Sequence, residues 1–133
     1  MIVDASVAFK WLVPEPGSAE AIALIGQEEL LAPNLLLIEL GNAIWKKALR
    51  NEIDADASFE PELENIGMLV RVLDEAPVVP RALTIARTLG HAIYACVYLA
   101  MAEAENMRLV TADGRFFRKV QASPWAPMIG MLT

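Results

Sequence analysis

The sequence predicts an α/β protein with a central parallel sheet, and three observations point there. Short strand-like runs alternate along the chain with helical stretches of ten or more residues, an order that implies crossover connections. Two of those runs, IVD at the start and RLVTAD near residue 110, end on an aspartate. The length of 133 residues suffices for one core and not two, so a single domain over 1–133 is expected.

The elements follow in order. Ile2 and Val3 form the first strand, and Asp4 places an ion where that strand leaves the core. PEPGS is a turn between helices, and SAEAIALIGQ after it carries helical periodicity. LLAP near residue 31 reads as the second strand. NLLLIELGNAIWKKALRN and ELENIGMLVRVLDEA both read as helices, bounded by Pro, Gly, Asn or acidic turn residues. PVVP near residue 78 is strand-like, HAIYACVYLAMA is the most apolar helix, RLVTAD is a further strand and PMIGML closes the sheet. Right-handed crossovers would cover such a sheet on both faces. Ligands bind these sheets at the carboxyl ends of the strands, so Asp4 and Asp113 would share one crevice if their strands are neighbours.

Composition narrows the class. The chain is 56% hydrophobic, yet HAIYACVYLAMA is only a dozen residues long. About twenty are needed to span a bilayer, so no membrane helix is expected. Strand-like residues begin at once, without the pattern of a secretory signal, and a cytoplasmic location is expected. Cys96, the single cysteine, sits among apolar neighbours and reads as a packed thiol. The net charge of −6 argues against nucleic acid only until it is located. Six of the 17 acids fall in NEIDADASFEPELE, which holds no base, and the rest of the chain has eleven acids against eleven bases.

Glu39 is the third candidate acid, set among Leu35, Leu36, Ile38, Leu40 and Ile44. Either it lies on the exposed edge of an amphipathic helix or it needs a partner, and Asn42, three residues on, shares its face. Two carboxylates about 4 Å apart repel by roughly 4 kcal/mol at an effective dielectric near 20. Mg²⁺ or Mn²⁺ would turn that repulsion into attraction and could deliver a water to phosphorus, which makes phosphodiester hydrolysis the natural chemistry. Lys46, Lys47 and Arg50 follow Glu39, and Arg115, Arg118 and Lys119 follow Asp113. Each cluster either holds phosphates or simply favours its helix end. Phe116 and Phe117 read as core or as base-stacking, Trp11, Trp45 and Trp125 as packing or dimer interface, and Tyr94 with Tyr98 as a packed stripe. A phosphoacceptor or phosphatase on a similar sheet is disfavoured, since the first strand ends in DAS and not in an acidic pair or DxD.

The order VDAS, PNLLLIELGNAIWKK, LGHAIYACVYLAMAE and LVTADGRFF, closing with SPWAP, resembles the PIN domain, and specifically the VapC toxins of toxin-antitoxin pairs. The resemblance covers nearly the whole chain. It implies a three-layer α/β/α fold and a Mg²⁺- or Mn²⁺-dependent endoribonuclease. It also implies a homodimer and a cognate antitoxin whose tail enters the groove. Carried over by position, Asp4, Glu39 and Asp113 match the family's metal-binding, catalytic acids, and Ser6 and Thr111 match small hydroxyl positions beside them. Asn42, Lys46 and Arg115 are candidates for holding RNA.

One match fails. Where the family reads YDAxYLALA, this chain reads YACVYLAMA, so Ala95 stands in place of an aspartate that contacts the metal. Losing even an outer partner of a metal ligand typically costs ten- to a hundred-fold in affinity or activity. Glu103 lies about 12 Å further along the helix and cannot replace it. His91, one turn earlier, is the nearest stand-in, although capping or packing suits it better. Either the domain is natively weakened or non-catalytic, leaving a module that binds antitoxin or RNA, or Ala95 is a substitution introduced into a toxin. The survival of the other acids favours the second.

Overall fold

The computed structural model describes all residues, 1–133. Five strands form one sheet in the order β3-β2-β1-β4-β5, with every pair parallel. They are β1 (Ile2–Val3), β2 (Leu31–Pro33), β3 (Arg71–Leu73), β4 (Leu109–Thr111) and β5 (Ile129–Met131). The register sets Ile2 beside Leu31 on one side and beside Leu109 on the other. Residues of β1, β2 and β4 are buried throughout, as central strands of a sheet covered on both faces must be. β3 is an edge strand and correspondingly more exposed.

Helices α1 (Ala5–Leu12), α2 (Ser18–Ala23), α3 (Leu35–Leu49) and α4 (Glu60–Leu69) connect β1 through β2 to β3. Helices α5 (Val79–Leu89) and α6 (Ile93–Glu105) return the chain to β4, and α7 (Gly114–Gln121) leads to β5. Strand order reverses between β1 and β4, so right-handed crossovers put the two sets of helices on opposite faces. The result is the three-layer α/β/α arrangement expected from the sequence. Tyr98, Phe116, Leu36, Leu40 and Leu99 are among its largest fully buried side chains. Each such aliphatic residue stabilises the fold by roughly 1.5–3 kcal/mol relative to exposure.

Three expectations need correction. ELENIGMLVRVLDEA is not one helix, because α4 ends at Leu69 and Arg71–Leu73 become β3, paired with Leu31–Pro33. PVVP is not a strand: Ala76–Val78 form a 3₁₀ turn and Val79 opens α5, with a proline in the first positions of each. A proline fits the start of a helix, where its missing N–H has no partner to lose. The helix read over SAEAIALIGQ also closes early, at Ala23. No single helix is long and apolar enough to cross a membrane, and α6 is largely buried as a core helix.

Candidate active site

β1 and β4 are neighbours, so Asp4 and Asp113 emerge side by side at the switch point of the sheet. Both aspartates are helix N-caps. Asp4 accepts from the Val7 N–H at the start of α1, and Asp113 Oδ1 accepts from the N–H groups of Arg115 and Phe116 at the start of α7. The capping role and a second role are compatible here, because capping uses only one edge of each carboxylate.

The remaining contacts hold Asp4 in place. Ser6 Oγ donates to Asp4 Oδ1 at 2.5 Å, and Thr111 Oγ1 donates to Asp4 Oδ2 at 2.5 Å. Each hydroxyl in turn accepts a backbone N–H, Ser6 from Ala112 at 2.8 Å and Thr111 from Asp113 at 3.1 Å. Ser6 and Thr111 therefore tie the end of β1 to the end of β4. Asp4 is buried, and that burial pushes its carboxyl above the ordinary range, with the Asp113 charge acting the same way and the three hydrogen bonds opposing it.

Glu39 reaches the same place from the second turn of α3. Its partner is Tyr98, whose hydroxyl donates to Glu39 Oε1 at 2.5 Å, and not Asn42, which makes no hydrogen bond to it. Burial pushes the Glu39 carboxyl upward, Tyr98 opposes this, and the Asp4 charge adds to it. Burial, and then the Glu39 charge, hold the Tyr98 phenol far above its usual range, so it remains a donor. The i, i+4 spacing of Tyr94 and Tyr98 predicts a packed stripe. Tyr98 is indeed buried, but Tyr94 is 61% exposed.

Asp4, Ser6, Glu39, Ala95, Tyr98 and Asp113 line one cavity of about 220 Å³. Ala95 lies in the first turn of α6, three residues before Tyr98 on the same face. Glu39 and Asp113 each have one oxygen fixed by the scaffold and one, Oε2 and Oδ2, without a hydrogen bond, whereas both oxygens of Asp4 are engaged, Oδ1 by Ser6 and the Val7 N–H and Oδ2 by Thr111. Hard carboxylate oxygens of this kind suit Mg²⁺ or Mn²⁺. No three His, Cys, Asp or Glu side chains, however, stand close enough together to hold a metal ion. The donor chemistry fits a divalent ion and the set is incomplete, with a methyl group at the position where the resemblance calls for a carboxylate.

No neighbour fills that position. His91 precedes α6 and packs on Phe116, ring centroids 4.9 Å apart. Glu103 faces away, bound by Arg81 at 2.7 Å and by the Trp125 indole N–H at 3.0 Å. Cys96 is fully buried.

A larger open groove of about 510 Å³ adjoins the acid cavity, sharing Ser6 and Glu39 with it. Asn42 and Lys46 lie there, together with Lys10, Lys47 and Arg50. Arg115 lines neither space, and Lys119 donates to the Gly90 carbonyl at 2.9 Å.

The five-stranded parallel sheet covered by helices on both faces is PIN-like, and the family signature described as PIN domain matches residues 1–122. The chain belongs to the PIN-domain family and is of the VapC toxin type, a nuclease class. It is 30% identical to Ribonuclease VapC3 of Pyrobaculum aerophilum over 125 residues, 92% of this chain and 95% of that protein. Over 97 residues, 73% of this chain and 71% of the other, it is 29% identical to Exonuclease VapC9 of the same organism. Among solved structures, PAE2754 from Pyrobaculum aerophilum superposes with a TM-score of 0.72 at 23% identity, covering 98% of this chain and 87% of that one. A toxin-antitoxin complex from Klebsiella pneumoniae superposes with a TM-score of 0.65 at 9% identity, covering 99% and 95%.

Proposed function

We propose that the chain is a single PIN domain over 1–133 that works as a Mg²⁺- or Mn²⁺-dependent endoribonuclease toxin, with its activity weakened by Ala95. The observation that carries this reading is the convergence of Asp4, Glu39 and Asp113 on one cavity from three separate elements, with one oxygen of Glu39 and one of Asp113 left without a hydrogen bond. Like charges gathered in this way are costly unless a cation joins them. When bound, the ion would supply positive charge at the scissile phosphate and an acidified water. Asp4, Glu39 and Asp113 would hold it. Ser6 and Thr111 keep Asp4 oriented, Tyr98 keeps Glu39 oriented, and the adjoining groove with Asn42 and Lys46 receives RNA. Arg115 is a weaker candidate for that contact, given its place outside the groove.

A homodimer and a cognate antitoxin complete the reading. The apolar residues exposed on α3, Ile38, Trp45 and Leu49, are consistent with a covering partner. An inert PIN module that binds antitoxin or RNA is the second reading, favoured by the absence of a ligand triad. RNA cleavage assays on Ala95→Asp, with and without EDTA, separate the two. Chelator-sensitive cleavage supports the nuclease, and an inert variant that still binds Mn²⁺ supports the module.

A further inference from the structure

We infer that the RNA backbone is seated on one flank of the cleavage site only, along α3, on a phosphate track made by Lys46, Arg50 and a Lys47 that must first leave Glu52. The inference rests on the RNA-cleaving reading and goes beyond it in assigning the track and its competitor.

The sequence offers two basic clusters, and the structure treats them differently. From Glu39, at the boundary between acid cavity and groove, Lys46 lies seven residues and about 10 Å along the axis of α3, and Arg50 lies eleven residues and about 16 Å along. Both are exposed, and neither makes a salt bridge or a side-chain hydrogen bond. Lys47, on the same wall, pairs with Glu52 at 2.8 Å. Lys10 is committed elsewhere, to Glu15 at 3.0 Å and to the Pro16 carbonyl at 2.7 Å, with its side chain only 14% exposed. The cations of α7 line neither space, and Lys119 is tied to Gly90. A channel negative at one end and positive along one wall fits a polyanion whose reacting phosphate sits at the acids and whose neighbours follow α3.

Glu52 opens the acidic run 51–64, so the carboxylate holding Lys47 occupies the position a phosphate would take. An ion pair with both side chains partly exposed is exchanged easily. Glu52 therefore lowers RNA affinity without closing the groove.

The test is equilibrium binding of a fluorescently labelled single-stranded RNA of mixed sequence to the full chain across a salt series, without divalent ions. Lys46→Ala and Arg50→Ala should each weaken binding by about three- to tenfold at low salt and reduce the slope of log K against log salt by about 0.7. Glu52→Gln should tighten binding by about twofold or more and steepen the slope, a gain that misfolding cannot imitate. Arg118→Ala and Lys119→Ala should leave the slope unchanged. RNA binding that ignores the α3 and Glu52 substitutions, or that falls equally with those in α7, overturns the track and leaves the nuclease reading standing. No RNA binding by the unsubstituted chain overturns both.

Discussion

The Tyr98 hydroxyl donates to Glu39 Oε1 at 2.5 Å, joining the second turn of α6 to the second turn of α3 across the acid cavity. The phenol ring is 1% exposed and belongs to the core, while its oxygen belongs to the site. Tyr98→Phe keeps the packing and removes only the donor. A hydrogen bond to a charged group contributes about 1.5–3 kcal/mol when buried, and partial exposure of Glu39 lowers this, so a loss of about 1–2 kcal/mol is expected at neutral pH. Urea denaturation of the two proteins measures it, and equal midpoints would mean that Glu39 draws nothing from Tyr98.

Glu39 also has a pH signature. Burial raises its carboxyl above the ordinary value, so the folded state holds the proton more tightly than the unfolded state does. Stability from such a group is complete below the unfolded pKa and is lost as pH rises through the folded one. Glu39→Gln removes this titration and keeps an acceptor for Tyr98. Without divalent ions, its thermal midpoint relative to the parent should climb as pH rises above the ordinary carboxylate range. A flat or falling difference would contradict the account.

Thr111 is completely buried and links Asp4 to the backbone of Asp113. Thr111→Val preserves shape while leaving Asp4 Oδ2 and the Asp113 N–H without a partner. An unsatisfied buried group costs about 1–3 kcal/mol, and the Asp113 N–H, being only partly buried, adds less, so a total of about 1–3 kcal/mol is expected. Calorimetry reads this directly, and a change below about 0.5 kcal/mol, the size typical of neutral surface substitutions, would show that the hydroxyl is dispensable.

Cys96 should behave as an inert thiol. It is fully buried, and burial pushes its pKa up to about 11. Little thiolate exists at neutral pH, and reagent has no access. Native protein should react with a thiol-disulfide reagent only as fast as it unfolds, whereas rapid labelling in native buffer would contradict the packing of α6.

Much of this was legible in the sequence because it depends on local pattern. Asp4 and Asp113 announce themselves as polar residues ending apolar runs, and the α/β alternation makes their meeting a question of strand order alone. The sequence pattern extends the helix through Arg71–Leu73 because Leu69 and Val70 continue the apolar pattern of α4 without an obvious stop, and only pairing with β2 makes them a strand. The partner of Glu39 could not be read at all. Asn42 is close in sequence, whereas Tyr98 lies 59 residues away and meets Glu39 only through the packing of α6 beside α3. A tyrosine three residues after the missing aspartate, in an otherwise apolar helix, was the available signal. The same holds for the basic clusters, which look equivalent in sequence and differ only once the groove exists.

The central claim is that the acids form a divalent-ion site one ligand short. Titration of Mn²⁺ into this chain and into Ala95→Asp, followed by electron paramagnetic resonance of free Mn²⁺, tests it most directly. Affinity should rise by about ten- to a hundred-fold or more in Ala95→Asp, and Asp113→Asn in that background should abolish the gain. Equal Mn²⁺ affinity in the two chains, or a gain indifferent to Asp113, would contradict the account.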